Sequence, residues 1–240
     1  MNWKRPGSFQ DGWQPGPVVR KCLQKTDVGI VLKDNSPEKI QERLVNMEQI
    51  NFQQTIERLK DTGFSPIPNV VQVTVPDAKR VLWAGIRYFT GENARWLPEY
   101  EEVAGWLAGN EGRGLLCFGN CGRGKTLICG KILPLVLNHY CRKVVSCYDA
   151  QQMNADLDAV KQKHIIYVDD IGTENLSVKY GEKRLAFAEL ADEAEKKGKL
   201  LILTTNLTID ELREKYGERT IDRLRAITKT VLFSGESLRK

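Results

Sequence analysis

The chain has 240 residues and a formal net charge of +5; 41% of its residues are hydrophobic and 28% are charged. This balance is typical of a globular protein with a packed core and argues against wholesale disorder. No apolar run approaches the roughly 20 residues that span a membrane, and the first residues lack the apolar core of a secretory signal. We therefore expect a cytoplasmic protein without a membrane partner.

The first hundred residues are expected to be mainly helical. Residues 1–35 are rich in proline and glycine, so we predict an extended arm there. Ser36 and Pro37 are typical of a helix start, and periodic apolar residues predict a helix over 37–61 that ends at Gly63. The next predicted elements are a strand at 70–75 and helices at 77–89 and 98–108.

From Gly112 onward, short apolar runs alternate with helical segments. Continuous apolar strands separated by helices are typical of a mainly parallel sheet that is covered on both faces. The predicted strands are GLLCFG (114–119), KVVSCY (143–148), HIIYVDD (164–170), LLILTTN (200–206) and TVLF (230–233). The predicted helices lie at 124–137, 150–162, 182–197, 208–216 and 219–226.

The segment CFGNCGRGKT (117–126) contains the pattern G-x-x-x-x-G-K-[ST] of a phosphate-binding loop. It lies between a predicted strand and a predicted helix, as the motif requires. Lys125 can reach the β- and γ-phosphates and Thr126 can ligate Mg²⁺, so we predict ATP and Mg²⁺ as cofactors. The predicted nucleotide-binding residues are Gly119, Asn120, Cys121, Gly122, Arg123, Gly124, Lys125 and Thr126.

Two adjacent acids end the predicted strand HIIYVDD, at the sheet edge where the phosphates are expected. Asp169 is predicted to hold Mg²⁺ through water, and Asp170 to orient the attacking water. Glutamate is more common at the position of Asp170, and aspartate is one methylene shorter, so we expect slow hydrolysis. Glu174 is a second candidate for the water-orienting role. The alternative is that the paired acids merely cap a strand end.

The strand LLILTT runs into Asn206, whose amide can fix a water against the γ-phosphate. A simple nucleotide kinase does not need such a group, because its nucleophile is a second substrate. The alternative is a turn-forming asparagine before a helix that is capped by Thr208.

The segment GERTIDRLR (217–225) places Arg219 and Arg223 four residues apart on one helix face. Arginine is suited to a γ-phosphate, and one supplied by a neighbouring subunit acts as an arginine finger. The alternative is a solvated basic face that pairs with Glu218 and Asp222.

Taken together, GNCGRGKT, YVDDIGTE, LLILTTNLT and YGERTIDRLR resemble the AAA+ ATPases of the DnaC type. These are bacterial replicative-helicase loaders, related to the IstB-type ATPases that assist transposases. The resemblance covers about residues 95–240. It implies an α/β fold, a P-loop NTPase (AAA+) core whose five-stranded, mainly parallel sheet has the order 5-1-4-3-2 and is flanked by helices.

The resemblance also implies roles, partners and domains. By position, Asn206 corresponds to the sensor residue. Arg223 is the first candidate for the arginine finger, and Arg219 is the second. The implied partners are a ring-shaped replicative helicase, single-stranded DNA, and further copies of the chain in an ATP-bound homo-oligomer. The expected domains are an extended arm (1–35), a small helical, partner-binding region (36–94) and an AAA+ ATPase domain (95–240).

The sequence departs from this family in two places. Only Asp149 to His164 separate the second and third strands, where related loaders carry helical material associated with single-stranded DNA contact and spiral assembly. The chain also stops just after the fifth strand, so we expect no C-terminal helical lid. A switch or loader is therefore expected rather than a processive motor.

Four functions remain open from the sequence. The leading hypothesis is an ATP-dependent helicase loader in DNA replication, and the second is a transposition helper of the IstB type. A P-loop kinase for a small molecule would need a second substrate pocket, for which no segment is seen. A nucleotide-gated adaptor with little hydrolysis is kept open by Asp170.

Overall fold

The computed structural model describes residues 52–60, 62–63, 69–174, 177–179 and 182–238. The predicted arm at 1–35 and the predicted helical residues 37–51 lie outside the described residues. The chain divides into two compact units, Met1–Phe64 and Ser65–Lys240.

In the first unit, helix α1 spans Phe52–Lys60 and is followed by a turn at Gly63. The Gly63 N–H donates to the Lys60 carbonyl, and Gly63 has a φ of 82°. Glycine adopts this left-handed conformation without strain, so the helix ends where the sequence predicted.

The second unit contains a five-stranded sheet, a separate two-stranded hairpin and the remaining helices. The sheet strands are β1 (Gly114–Gly119), β2 (Ser146–Asp149), β3 (Ile165–Asp169), β6 (Leu200–Thr205) and β7 (Thr228–Phe233); the hairpin strands are β4 (Ser177–Lys179) and β5 (Glu182–Arg184). The helices are α2 (Ala78–Thr90), α3 (Pro98–Ala108), α4 (Leu133–Cys141), α5 (Ala150–Ala155), α6 (Leu157–Val160), α7 (Ala186–Lys197), α8 (Ile209–Tyr216) and α9 (Glu218–Ile227).

The five strands of the sheet run parallel in the order β2-β3-β6-β1-β7. When only these five strands are counted along the chain, this is the predicted order 5-1-4-3-2, so the predicted α/β fold class is confirmed. The strand that leads into the phosphate loop, β1, lies between β6 and β7. As a result, the carboxyl ends of β1, β6 and β3 are neighbours.

Side chains alternate across the sheet and fill two cores. On β1, Leu115 and Cys117 face the core formed with α2, α3 and α4, whereas Leu116 faces the core formed with α5 to α9. Both faces are therefore covered, which explains why the strands read as continuous apolar runs.

The prediction of a strand at 70–75 is wrong, because this segment pairs with no strand among the described residues. The buried side chain of Asn110 takes the place of a neighbouring strand. It accepts from the Val73 N–H (2.8 Å) and donates to the Val71 carbonyl (2.9 Å). A side-chain amide thus satisfies backbone groups that a ladder would otherwise pair.

The helix predicted at 124–137 is not regular. Residues Leu127–Ile132 form a π-helical turn before α4, and the Leu133 N–H donates to the Ile128 carbonyl, five residues back. Pro134 explains this interruption, because proline has no N–H to donate and its ring clashes with the carbonyl four residues earlier.

Three other predicted boundaries are corrected. The helix predicted at 150–162 is divided at Asp156, whose side chain accepts from the Ala159 N–H and so starts a second short helix, α6. The helix predicted at 182–197 starts only at Ala186, because β5 pairs with β4 before it. The strand predicted at 143–148 is paired with β3 only over Ser146–Asp149.

Among the described helices, none has the length and apolar composition that a bilayer-spanning segment requires.

Candidate active site

The candidate site is a cavity of about 440 Å³ at the carboxyl ends of β1, β3 and β6. Ligands of open α/β sheets bind at this edge, and the volume is within the range of small-molecule pockets. One part of the cavity is lined by the phosphate loop, the acidic pair and Asn206. Residues of α2 and of the C-terminal segment line another part.

Lys125 is buried in the loop, and its ammonium group is held at three points. The Nζ atom donates to the carbonyls of Gly119 and Asn120 (2.7 Å each) and to Oδ1 of Asn206 (2.9 Å). Burial lowers the pKa of Lys125 from its ordinary value, and the nearby carboxylate of Asp170 opposes this shift. The loop therefore presents a fixed cation to the cavity.

Gly124 lets the loop pass close to α3. It has a φ of 92°, and a Cβ at this position would lie 2.7 Å from the Tyr100 hydroxyl oxygen. That hydroxyl donates to the Arg123 carbonyl (2.9 Å). Burial, helped by the Glu99 carboxylate, raises the pKa of Tyr100 to about 12, so the hydroxyl remains a donor.

Three hydroxyl groups fix the carboxylate of Asp169. Its Oδ1 accepts from Thr126 (3.0 Å), Tyr167 (2.6 Å) and Thr204 (2.5 Å). Tyr167 lies two residues before Asp169 on β3, so both side chains point to the same face. Burial, together with the hydrogen bond to Asp169, raises the pKa of Tyr167 and keeps it a donor.

The Thr126 hydroxyl and the Asp169 carboxylate fit Mg²⁺ that is bound together with a nucleotide. In nucleotide sites Mg²⁺ is held through one or two carboxylates, the phosphates and water, all of which are oxygen ligands. The two protein oxygen atoms are 3.0 Å apart and both residues line the cavity. Within the described residues, no group of three or more histidine, cysteine, aspartate or glutamate side chains could hold a metal ion.

Asp170 and Asn206 meet across the ends of β3 and β6. Nδ2 of Asn206 donates to Oδ1 of Asp170 (2.8 Å), while Oδ1 of the same amide accepts from Lys125. Burial, and to a lesser extent the neighbouring Asp169, raises the pKa of Asp170, and Lys125 opposes this shift. The three side chains form a continuous polar chain along the cavity, from the loop to the second acid.

The backbone of Asp170 gives a physical reason for aspartate at this position. Its φ is 55°, and its N–H donates to the Thr204 hydroxyl (3.0 Å). Among residues other than glycine, aspartate and asparagine are enriched in this left-handed region, because a short polar side chain tolerates it. The longer side chain of glutamate lacks this advantage.

The sequence around this site matches a known family. The model of the family described as Novel STAND NTPase 3 (nSTAND3) matches residues 99–236, which is more than half of the chain. The chain belongs to the nSTAND3 family. The prediction of a nucleoside-triphosphatase family is thereby confirmed.

Solved structures similar to this nSTAND3 chain include three proteins. The DnaC helicase loader is 18% identical, with 67% of this chain and 93% of that chain covered and a TM-score of 0.44. DnaI is 21% identical, with coverage of 53% and 73% and a TM-score of 0.39. AMPPCP-bound DnaA from Aquifex aeolicus is 14% identical, with coverage of 60% and 50% and a TM-score of 0.45. No curated protein matches significantly.

In the nSTAND3 chain, the side chain of Arg123, which was predicted to bind nucleotide, does not face the cavity. The guanidinium of Arg123 is buried and donates through Nε (2.9 Å) and Nη2 (2.6 Å) to Oε1 of Glu99, which is also buried. Its Nη1 donates to the Glu236 carbonyl (3.3 Å). A contact between Arg123 and a phosphate would therefore be made by its backbone.

Asn120 and Gly122 are also bonded to the segment after β7. The Asn120 N–H donates to the Phe233 carbonyl (2.8 Å), and its side chain donates to the Gly235 carbonyl (2.9 Å). The Gly122 carbonyl accepts from the Leu238 N–H (2.9 Å). Cys121, in contrast, is exposed and lines the cavity.

Glu174 is not brought together with the other predicted catalytic residues. Its buried carboxylate accepts from the Gly172 N–H (2.9 Å) and from the Tyr216 hydroxyl. The Lys215 ammonium group donates to the carbonyls of Gly172 and Glu174. Glu174 thus fastens the loop after β3 to α8.

The two arginines of α9 differ in their surroundings. Arg223 is paired within the chain, through Nη2 to Asp192 (2.5 Å) and through Nε to Glu195 (2.9 Å), both on α7. Arg219 is exposed and makes no hydrogen bond or ion pair within the described part of the chain, although its charge helps to lower the pKa of Asp192. Neither arginine lines the cavity of its own chain.

Several site residues were missed from the sequence. Tyr167 donates to Asp169, and Thr204 bonds to both acids. Both could have been predicted, because Tyr167 lies two residues before Asp169 and Thr204 lies near the end of the adjacent strand. Ile86, Thr90 and Leu238 line the cavity from outside the motifs. Their positions depend on tertiary packing, for which the sequence gives no spacing signal.

Proposed function

We propose that this protein binds and hydrolyses ATP and acts as an ATP-dependent switch that loads a ring-shaped replicative helicase onto DNA. The observation that carries the hydrolysis part is the polar chain Lys125–Asn206–Asp170 beside the phosphate loop. A kinase directs the γ-phosphate to a second substrate, whereas a hydrolase needs polar groups that position water. An amide and a carboxylate at adjacent strand tips are such groups.

Each residue has its own task in the proposed reaction. The loop N–H groups and Lys125 hold the phosphates and stabilise the charge that develops on them during transfer. Asn206 orients the water, and Asp170 accepts its proton as the water oxygen bonds to the γ-phosphorus and the bond to ADP breaks. Thr126 and Asp169 would hold Mg²⁺, which neutralises phosphate charge when it is bound.

The helicase-loading part rests on the resemblance of the motifs. The loop, the acidic pair, the T-T-N-L segment and the G-E-R-x-x-D-R-L helix agree with the DnaC type in order and spacing. The proposal includes a helicase contact through the N-terminal region (36–94), nearby single-stranded DNA, ATP-dependent self-association and a cytoplasmic location.

Asp170→Asn is expected to retain ATP binding within about threefold and to lower single-turnover hydrolysis at least about 100-fold, the lower limit for loss of a general base. The isosteric amide keeps the size of the side chain but cannot accept the proton. Isothermal titration with ATP and release of inorganic phosphate measure the two effects. Asp210→Asn, at an exposed acid of α8, is the matched control.

Other outcomes distinguish the alternatives. Hydrolysis by Asp170→Asn at the wild-type rate would remove Asp170 from the mechanism. ATP binding by the wild type without phosphate release indicates a nucleotide-gated adaptor, and transfer to an acceptor other than water indicates a kinase.

The loading role is tested by measuring how much of the host's replicative helicase the full chain captures in the presence of ATP and in the presence of ADP. We expect a complex that depends on which nucleotide is present. Equal capture in both nucleotides contradicts the switch, and capture of a transposase instead supports an IstB-type helper.

We further propose that Arg219 reaches the nucleotide of a neighbouring copy, because Arg223 would first have to leave two carboxylates. Arg219→Ala and Lys125→Ala are each expected to hydrolyse ATP at least about 100-fold more slowly than wild type. Their mixture should recover activity, because each variant supplies the group that the other lacks. If activity recovers when Lys125→Ala is mixed with Arg223→Ala but not when it is mixed with Arg219→Ala, Arg223 is the arginine finger, as the resemblance implies.

A further inference from the structure

The residues after β7 form a strap, defined here as Ser234–Leu238, that turns back over the phosphate loop. Three hydrogen bonds join it to the loop: from the Asn120 side chain to Gly235, from Arg123 to Glu236, and from the Leu238 N–H to Gly122. All three loop residues occupy positions that the phosphate-loop pattern leaves free. In this chain, therefore, three of the four free positions bind the strap.

The contact between strap and loop is close-packed. A Cβ at Gly122 would lie 2.0 Å from the Ser237 Oγ and 3.3 Å from its Cα. A Cβ at Gly235 would lie 3.2 Å from Nη1 of Arg123. Both glycines also have positive φ angles, of 75° and 111°. The strap thus packs against the loop, and these contacts fix the path of the strap.

The last residue of the strap, Leu238, lies in the lining of the cavity. Leu238 lines the cavity together with Ile86, Thr90 and Leu127. Lys125 of the loop and the acidic pair at the end of β3 suit phosphates and Mg²⁺, and Arg95, between α2 and α3, also lines the cavity. The same lining includes the aliphatic side chains of Ile86, Leu127 and Leu238 and the Thr90 hydroxyl, which suit a base and a sugar.

We propose that Leu238 contacts the nucleoside part of the bound nucleotide, so that the strap contributes to affinity for the base and sugar but not for the phosphates. This inference rests on the proposed nucleotide binding. It assigns to the C-terminal segment a direct role in nucleotide recognition. Asn120 and Arg123 act as positioning residues, because they hold the strap.

The test compares ATP with inorganic tripolyphosphate, which lacks the nucleoside. Leu238→Ala is expected to weaken ATP binding about tenfold, since the leucine side chain, which is 40% exposed without a ligand, would lose its contact with the nucleoside. Tripolyphosphate binding should change less than about twofold. A chain that ends at Phe233 should show the same selective loss. Leu135→Ala, at a leucine of α4 that is 60% exposed, is the matched control. Isothermal titration gives the affinities, and thermal unfolding shows that each variant is folded.

Equal ATP affinity of Leu238→Ala and the control overturns the inference while the proposed function stands. Equal loss for ATP and tripolyphosphate also overturns it, because the strap would then shape the phosphate loop only. Absence of ATP binding by the wild type overturns the proposed function and the inference together.

Discussion

Lys125→Ala is expected to weaken ATP binding at least about 100-fold, which corresponds to about 2.8 kcal/mol. Charge-assisted hydrogen bonds contribute about 1.5–3 kcal/mol each, and bonds from the ammonium group to the phosphates would replace its present bonds to Gly119, Asn120 or Asn206. The substitution also removes the donor that holds Oδ1 of Asn206 at 2.9 Å, so the water-orienting amide loses its anchor. Hydrolysis should therefore fall even when ATP is saturating.

The matched control is Lys131→Ala, on the π-helical turn after the same loop. Lys131 is exposed and its ammonium group lies over the ring of Phe89, 5.9 Å from the centroid. We expect ATP affinity within twofold of the wild type for this variant. Titration calorimetry and steady-state phosphate release separate the loss of binding from the loss of turnover. Similar affinities of the two variants would show that Lys125 does not hold the phosphates.

Arg123→Ala is expected to destabilise the second unit by about 3–5 kcal/mol, because it leaves the Glu99 carboxylate buried without its counter-charge. The pair is 2.6 Å apart, and the two side chains are only 11% and 5% exposed. For a protein of this size, such a loss lowers the unfolding temperature by roughly 2–4 °C per kcal/mol. Chemical denaturation of the full chain measures the free energy of unfolding.

A double substitution distinguishes an uncompensated charge from a packing defect. Arg123→Met combined with Glu99→Leu should recover at least half of the lost stability, since apolar residues of similar volume can replace a buried ion pair. Arg80→Ala, at an exposed arginine 4.0 Å from Asp77, should cost less than about 0.5 kcal/mol. If the double variant is as unstable as Arg123→Ala, the charge of Glu99 is not the cause.

The sheet and the phosphate end of the site could be predicted because their signals are local. Strand β1, the loop and Lys125 follow one another in ten residues, and the acidic pair directly ends an apolar run. Because the strands are parallel and β6 and β3 follow β1 in the sheet, their carboxyl ends are neighbours, which brings Asp169 and Asn206 to the loop. The family resemblance implied this strand order.

The remaining features depend on partners that are distant in the sequence. Arg123 is 24 residues from Glu99 and 113 from Glu236, and nothing in the motif indicates either contact. The side-chain amide of Asn110 binds backbone groups that a neighbouring strand would otherwise pair. The periodicity of the sequence does not predict such a contact. Arg223 meets two acids only because α9 packs on α7, so a helix face that looks available in the sequence is occupied in the fold.

The hydroxyl of Thr204 has a consequence for how the protein could be controlled. It donates to Asp169 and accepts from the Asp170 N–H, and the next residue but one on the same chain segment is Asn206. The groups proposed to hold the nucleotide belong mainly to the phosphate loop and the strap. The groups proposed to hold Mg²⁺ and to position the water, Asp169, Asp170 and Asn206, are all tied to the tip of β6. A partner that displaces this tip would therefore change the lifetime of the ATP-bound form.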